Sequence, residues 1–183
     1  MKELSLNILD VAENSVKAGA TLTQILLDEE DGILTLQIVD DGCGMSEDVV
    51  HSVVDPFYTT RTTRKVGMGI PLLKLACEQT GGELSIESVT AEANPVEHGT
   101  HVTATFNMNH IDFTPLGDVC ASVLTLIQGH PDTDFLFEHK KSGGVVELDT
   151  RKLREVLEDV PLNSYDVMEW IRVYLQEQYE ALS

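Results

Sequence analysis

Three polar side chains near the start of the chain have the types and the spacing of a site for a charged ligand. Asp10 and Asn14 are four residues apart and Lys17 lies three residues further, so all three share one face of a helix. A carboxylate, an amide and an amine on one side suit a hydrated cation bound to a polyphosphate. The solvated side of any amphipathic helix looks similar, so this stretch alone leaves both interpretations open.

An acidic, glycine-containing turn at residues 40–45 (DDGCGM) offers a second set of functional groups. Gly42 and Gly44 allow the backbone to approach a planar or anionic ligand closely. Asp40 ends a β-rich segment, where its carboxylate can accept a hydrogen bond from an exocyclic amine. Acidic glycine turns are also common in ordinary hairpins, so the turn by itself is a weak signal.

A basic segment with glycines precedes a predicted helix. Arg61, Arg64 and Lys65 come just before Gly67 and Gly69. The free N–H groups and the dipole at a helix N-terminus favour phosphate. The alternative is a surface loop that happens to carry arginines. The segment contains neither a Walker A loop nor a Rossmann fingerprint.

Hydrophobic periodicity predicts the elements that must position these groups. In the first part of the chain the periodicity predicts a helix at 4–18, a hairpin of strands at 23–28 and 33–40, and a short helix at 46–54. A long polar loop at 55–69 follows, then a helix at 70–82 and two further strands at 83–88 and 100–106. The last third predicts a helix at 116–128, a hairpin at 134–139 and 145–149, and two helices within 150–182. Four side chains of the final helix, Trp170, Tyr174, Leu175 and Tyr179, are expected on one face, either packed within their own subdomain or exposed as an interface.

Composition limits the classes of partner and the compartment. The net charge of −19 disfavours binding to nucleic acid and to anionic membranes and favours binding to basic partners. We expect a protein partner that contacts the acidic surface or the C-terminal part. No segment predicts a membrane span or a signal peptide, so we expect a cytoplasmic protein. Cys43, Cys77 and Cys120 lack metal-site spacing and fit reduced thiols.

Taken together and in order, the motifs resemble the GHKL superfamily of Bergerat-fold ATP-binding domains, in its histidine-kinase-like form. LDVAENSVKAGA resembles the N-box, DDGCGM the G1 box, DPFYTTR the F-box and GMGIPLLK the G2 box, and GGELSIES with GTHVTATF resembles the closing strands. The resemblance covers residues 1–106 and implies an α+β fold, a two-layer α/β sandwich with a mixed, mostly antiparallel sheet. Residues 107–183 are then expected to form a small C-terminal α/β extension of unknown role.

The resemblance also implies ligands and roles. ATP and Mg²⁺ are the expected cofactors, with Asn14 and Asp10 at the metal, Lys17 at the phosphates and Asp40 at the adenine amine. The remaining residues expected to contact the nucleotide are Gly42, Gly44, Met45, Arg61, Lys65, Gly67, Met68, Gly69 and Thr100.

Two departures from the family pattern leave the chemistry open: Asp10 in the N-box, and Lys65 where a three-glycine G2 box would begin. Asp10 stands where the ATP-hydrolysing members carry a catalytic glutamate, so it is the candidate catalytic residue with a shorter reach. A histidine kinase also needs a phosphoacceptor histidine domain ahead of this one, and the N-box helix starts almost at Met1 here, so we do not expect this chain to phosphorylate itself. We therefore expect a nucleotide-dependent switch or weak ATPase. The alternatives are a protein kinase acting in trans through Asp10 or Glu13, as in anti-sigma-factor serine kinases, and a non-catalytic adaptor; a homodimer is a further expectation.

Overall fold

The computed structural model describes residues 3–55 and 68–183. Within those residues six helices and six strands follow one another in the order α1 Leu4–Lys17, β1 Leu22–Glu30, β2 Ile33–Asp40, α2 Glu47–Val54, α3 Gly69–Glu78, β3 Leu84–Val89, β4 Gly99–Asn107, α4 Val119–Gly129, β5 Asp134–Lys141, β6 Gly144–Asp149, α5 Thr150–Leu157 and α6 Tyr165–Leu182. Each element predicted from periodicity is present, with its ends displaced by a few residues. The long polar loop lies almost entirely outside the described residues.

All six strands form a single open sheet in the order β3-β4-β2-β1-β5-β6. The neighbouring strands are antiparallel except β1 and β5, which run parallel. The expected mixed, mostly antiparallel sheet is therefore confirmed.

One face of the sheet carries the core. Ile25 lies opposite Ile38, and Ile38 opposite Val102, so a row of buried aliphatic side chains crosses three strands. α1, α3 and α4 pack over this face. The other face carries partly exposed polar residues such as Gln24 and Thr103. Because side chains alternate along a strand, this pattern gives the expected two-layer sandwich, with α1, α3 and α4 as the helical layer.

The hairpin that precedes the site is fixed by its turn. Asp31 and Gly32 connect β1 to β2, and both have positive φ, 52° and 79°. Two-residue turns with positive φ at both positions match the right-handed twist of antiparallel strands. The register that follows places Asp40 at the end of β2.

The C-terminal segment continues the same sheet and core. β5 pairs with β1, α4 packs on α1, and α6 packs on β6 and α4. Buried residues of α4, β5 and α6 belong to one continuous hydrophobic cluster with those of α1 and β2.

The aromatic residues of α6 do not share one face, so that prediction was wrong. Leu175 is fully buried and the Tyr179 hydroxyl contacts Nδ1 of His139, whereas Trp170 and Tyr174 are exposed and stack on each other. At about 100° per residue, positions 175 and 179 lie about 140–180° around the helix from position 170. Among the described residues no helix is long and apolar enough to cross a membrane, and Cys43, Cys77 and Cys120 are free thiols.

Candidate functional site

A cavity of about 470 Å³ lies between α1, the end of β2, the turn after it and β4. Its walls combine polar groups with an apolar lining. The polar side chains are Asn14, Ser15, Lys17, Asp40 and Thr100; the other lining residues are Val11, Ala18, Ile38, Cys43, Gly44, Met45, Val49, Ile70 and Val102. A mostly apolar cleft with a few polar groups is the usual form of a small-molecule site.

The helix α1 supplies the wall that carries Asn14 and Lys17. Its other face anchors it, since Leu4, Ile8 and Ala12 are completely buried against the core. The C-terminal end is fixed to the turn after β2, because the Cys43 amide donates to the Ala18 carbonyl at 2.9 Å. Of the three polar residues predicted on one face of this helix, Asn14 and Lys17 line the cavity.

The carboxylate of Asp40 is held at the cavity wall by two donors. Ser15 Oγ donates to Asp40 Oδ2 at 2.6 Å, and the Gly42 amide donates to Asp40 Oδ1 at 2.9 Å. Ser15 is 3% exposed and Asp40 is partly exposed at the cavity, so the bond is partly buried. Gly42 itself does not line the cavity; it lies behind Asp40, where an added Cβ would come within 2.9 Å of the Ala18 Cβ.

Thr100 faces Asp40 across the β2–β4 pair and belongs to a hydroxyl network. Its Oγ1 lies 2.8 Å from Ser88 Oγ, which accepts a hydrogen bond from the Met45 amide at 2.7 Å. The network joins β3, β4 and the turn after β2. Gly44 completes the turn with φ of 73°, and a Cβ there would lie 2.0 Å from the Val89 carbonyl oxygen. The glycine requirement at this position is thus both conformational and steric.

Two residues beside the turn support its shape without entering the cavity. His98 Nδ1 contacts the Gly42 carbonyl. Asp41 accepts hydrogen bonds from the Thr21 and Leu22 amides at 2.7 and 3.0 Å. Burial tends to raise the pKa of the Asp41 carboxyl, but these bonds and the Thr21 hydroxyl outweigh it and lower that pKa. The second aspartate of the DDGCGM turn therefore fixes the backbone rather than the ligand.

Asp10 does not line the cavity. It is an exposed residue of α1, and its Cβ lies 2.9 Å from where a Cβ of Gly69 would be. Gly69 begins α3, and its carbonyl accepts a hydrogen bond from Asn7 Nδ2 at 3.3 Å. Asp10 thus stands beside the N-terminus of α3, where Met68 is the exposed residue preceding the helix. Met68 and Gly69 also lie outside the cavity walls, although the next residue, Ile70, lines them.

The remaining predicted contacts to phosphate, Arg61, Lys65 and Gly67, lie outside the described residues. Glu13, the other acid considered for catalysis, is engaged elsewhere. Its Oε2 lies 2.8 Å from Nε2 of His130 at the end of α4, and Glu13 does not line the cavity.

The described donor set fits Mg²⁺ only in combination with a phosphate ligand. Asn14 contributes an amide oxygen to the cavity wall, and Mg²⁺ in nucleotide sites commonly takes one or two protein oxygens and fills its shell with phosphate and water. Residues 3–55 and 68–183 contain no cluster of three or more His, Cys, Asp or Glu that would hold a metal by itself.

Sequence reasoning missed Ser15, Ser88 and the apolar walls. Ser15 directly follows Asn14, and its helical spacing from the apolar Ile8 and Val11 indicated only that it faces the core. Its partner Asp40 lies 25 residues away, so only the fold brings the two together. The apolar walls come from α1, β2, α2, α3 and β4, and their shared role depends on the same packing.

Sequence comparison places the first part of the chain among known ATPases. Residues 2–110 match the family described as histidine kinase-, DNA gyrase B-, and HSP90-like ATPase. Sensor protein KdpD of Clostridium acetobutylicum is 29% identical over 89 residues, which cover 46% of this chain and 10% of that protein. Sporulation kinase E of Bacillus subtilis is 32% identical over 90 residues, which cover 48% of this chain and 12% of that protein. The chain thus matches only a small part of these relatives' length.

Solved structures share the fold over a longer stretch. The Aquifex aeolicus MutL ATPase domain complexed with ADP aligns with 100% of this chain and 97% of its own, at a TM-score of 0.53 and 12% identity. The N-terminal domain of a DNA repair protein aligns with 81% of this chain and 52% of its own, at a TM-score of 0.54 and 15% identity. Given the family match over more than half of its residues and the shared fold, the chain belongs to the histidine kinase-, DNA gyrase B- and HSP90-like ATPases.

Proposed function

We propose that the chain binds Mg-ATP in the cavity between α1 and the β2 turn and acts as a nucleotide-dependent switch with weak ATPase activity. The observation that carries the proposal is the meeting of Asn14, Lys17, Asp40 and Thr100 in one cavity. These residues come from α1, β2 and β4 and are up to 86 positions apart in the sequence. A solvated helix face and an ordinary hairpin turn would not be expected to converge in this way.

Each polar group has a role that its position supports. The Asp40 carboxylate is held by Ser15 and Gly42 in the orientation that accepts the adenine amine. The Lys17 ammonium and the N-terminal amides of α3 favour the phosphates. Asn14 would supply the protein ligand to Mg²⁺, which neutralises phosphate charge when bound.

Asp10 is the proposed acid that orients the hydrolytic water. It stands one helical turn before Asn14 and beside the start of α3, on the side of α1 where the phosphates would lie. Because its side chain is one methylene shorter than that of glutamate and exposed, we expect slow turnover rather than efficient hydrolysis.

Binding is tested by calorimetric titration of Mg-ATP into the parent protein and single variants. Asp40→Asn removes the acceptor for the adenine amine and Asn14→Ala removes the metal ligand, so each is expected to weaken binding at least about tenfold, or about 1.4 kcal/mol. Asp28→Asn, an exposed carboxylate of β1 away from the cavity, is the matched control. Parental affinity in both site variants would refute the site.

Hydrolysis is tested separately by following phosphate release from γ-labelled ATP. Release that is lost in Asp10→Asn while Mg-ATP still binds supports the proposed role of Asp10. Saturable binding with neither phosphate release nor labelled protein, in the parent protein as well, would leave the non-catalytic adaptor as the remaining alternative.

Phosphoryl transfer in trans is the second candidate, and the names of the relatives favour it, since they include a sporulation kinase. Glu13 is bonded to His130, which leaves Asp10 as the acid available to an acceptor hydroxyl. Incubation of the protein and γ-labelled ATP with a cell lysate distinguishes the two functions. Label on another protein that depends on Asp40 supports transfer, and free phosphate alone supports hydrolysis.

A further inference from the structure

A second groove lies at the opposite edge of the sheet from β3, between β6, α5 and α6. It encloses about 400 Å³ and shares no lining residue with the nucleotide cavity. The residues that matter for its chemistry are Val145, Glu147, Val156, Trp170, Tyr174 and Gln178. Nothing in the proposed nucleotide chemistry uses them, so the inference below does not rest on ATP binding.

The groove exposes apolar and aromatic surface. Trp170 is 51% exposed and Tyr174 is 37% exposed, and their rings stack with centroids 4.8 Å apart and planes 12° from parallel. Val156 across the groove is 82% exposed. A stacked aromatic pair left open to solvent has the composition of a binding anchor rather than of a solvated helix face.

The floor of the groove is closed to strand addition. The Gln178 side chain donates to the Glu147 carbonyl and accepts from the Glu147 amide, both at 2.9 Å. It therefore occupies the outward-facing backbone groups of β6 at Glu147, in the middle of this edge strand, as a neighbouring strand would. A ligand would contact this groove through its side chains and not by extending the sheet.

The excess of acidic side chains around the groove favours a positively charged ligand. Residues 145–183 contain nine acidic and four basic side chains. All four basic residues are already paired: Arg151 with Asp149, Lys152 with Glu147, Arg154 with Asp134 and Arg172 with Glu169. The pair inside the groove is the loosest, because Lys152 Nζ lies 3.5 Å from Glu147 Oε1 and the lysine side chain is 74% exposed. An incoming cation can replace it at little cost.

We propose that this groove binds a basic segment of a protein partner, with an arginine side chain against Trp170 and Tyr174 and its guanidinium paired to Glu147. Arginine fits better than lysine because its planar group stacks on aromatic rings and forms two parallel hydrogen bonds to a carboxylate. The acidic surroundings repel nucleic acid and anionic lipid, which leaves a basic protein segment as the occupant.

Trp170 provides the test, because it is the only tryptophan of the chain. The full chain is titrated with a capped alanine hexapeptide that carries two arginines, and tryptophan fluorescence is followed at low and at moderate salt. The matched probe is the same peptide with citrulline in place of arginine, which keeps the shape and removes the charge. We expect saturable fluorescence change with the arginine peptide and at least about a tenfold weaker response with the citrulline peptide.

Variants separate this groove from general attraction to an acidic protein. Glu147→Gln keeps the backbone bonds to Gln178, and Val156→Lys places a positive charge at an exposed position where it should not disturb folding. Both variants are expected to weaken binding of the arginine peptide at least about tenfold. Glu83→Gln, which changes an exposed acid at the far edge of the sheet, should leave that binding unchanged. Equal binding of both peptides, or parental binding in Glu147→Gln and Val156→Lys, would overturn the proposal.

A second copy of the chain is the competing occupant. Sedimentation of the parent protein and Val156→Lys decides this: a dimer that Val156→Lys dissociates would show that the groove is a homodimer contact and would also overturn the proposal. Repeating the peptide titration with Asp40→Asn separates the two sites. Peptide binding that keeps its parental strength in this variant, in which Mg-ATP binding is weakened, shows that the groove is independent of the nucleotide site.

Discussion

The bond between Ser15 and Asp40 allows a quantitative test of how the site is held. Ser15→Ala removes the hydroxyl that donates to Asp40 Oδ2 at 2.6 Å and leaves the Gly42 amide on the other oxygen. Alanine fits the space, since Ser15 is buried and only one atom is lost. The substitution therefore changes the hold on a carboxylate without removing the carboxylate.

The size of the effect follows from the type of bond. A hydrogen bond to a charged acceptor contributes about 1.5–3 kcal/mol, compared with about 1 kcal/mol for a neutral pair. Part of that contribution will appear as a lower free energy of unfolding and part as weaker nucleotide binding, because the adenine amine then meets a less ordered acceptor. We expect each quantity to fall by about 1 kcal/mol, which corresponds to about a fivefold loss of affinity.

The assay combines urea denaturation with calorimetric titration of Mg-ATP. Ser122→Ala is the matched control: Ser122 is a buried helical serine whose hydroxyl donates to the Ser5 carbonyl at 2.8 Å, away from the cavity. That variant should lose about 1 kcal/mol of stability and keep the parental affinity. Parental affinity in Ser15→Ala, or an equal loss of affinity in both variants, would refute the idea that Ser15 orients Asp40 for the nucleotide.

Three further outcomes are expected. Gly44→Ala should lower the free energy of unfolding by more than about 2 kcal/mol and abolish Mg-ATP binding, because the new Cβ would lie 2.0 Å from the Val89 carbonyl oxygen. Gly81 is the matched control, since it has φ of 83° but no atom within 4 Å of an added Cβ. Gly81→Ala should therefore lower the free energy of unfolding in urea by only about 1 kcal/mol. Cys43 should be the one thiol that reacts fast with Ellman's reagent, and Mg-ATP should protect it, because it is exposed at the cavity. Burial raises the pKa of Cys77 and Cys120 to about 11, which leaves roughly 0.1% thiolate at about pH 8. A second fast-reacting thiol would contradict this expectation. Burial lowers the pKa of His139 from its ordinary value of 6.5, and the contact with Glu29 opposes only part of that shift. The folded protein therefore keeps the full stability contributed by neutral His139 above about pH 6.5. Below that pH the contribution is lost, because the unfolded chain takes up the proton more readily than the folded one. The difference in unfolding free energy between the parent and His139→Gln should therefore shrink between about pH 7.5 and about pH 5, and a constant difference would contradict that reasoning.

The elements were predictable from the sequence because their signals are local. The alternation in β2 and the apolar spacing in α1 each lie within one segment, and the Asp31-Gly32 turn identifies its own hairpin. The parallel pairing of β1 with β5 had no such signal, because it depends on burying the C-terminal segment against α1. The prediction that the aromatic side chains of α6 share one face was wrong for a related reason. The side to which a helix turns its aromatic residues is set by what it packs on, here β6 and α4.

The site divides in the same way. Asn14, Lys17 and Asp40 were singled out because of their residue types and spacing, and the fold brings all three to one cavity. Ser15 was not, since a buried serine on a helix becomes meaningful only when a distant strand end brings it a carboxylate. Asp10 shows the opposite case: its spacing from Asn14 indicated the cavity, and packing instead places it beside Gly69 at the start of α3.

The helix α1 connects the nucleotide cavity to the C-terminal segment. It presents Asn14 and Lys17 to the cavity, while Ser5 and Glu13 on other sides of the same helix bond to Ser122 and His130 of the segment around α4. α4 in turn packs on α6, which forms one wall of the second groove. Because helices in a close-packed core move as units, any displacement of α1 by a bound nucleotide would be passed to α6 through α4. The proposed switch therefore predicts that substitutions at the packing of α1 on α4 change how the second groove responds to nucleotide.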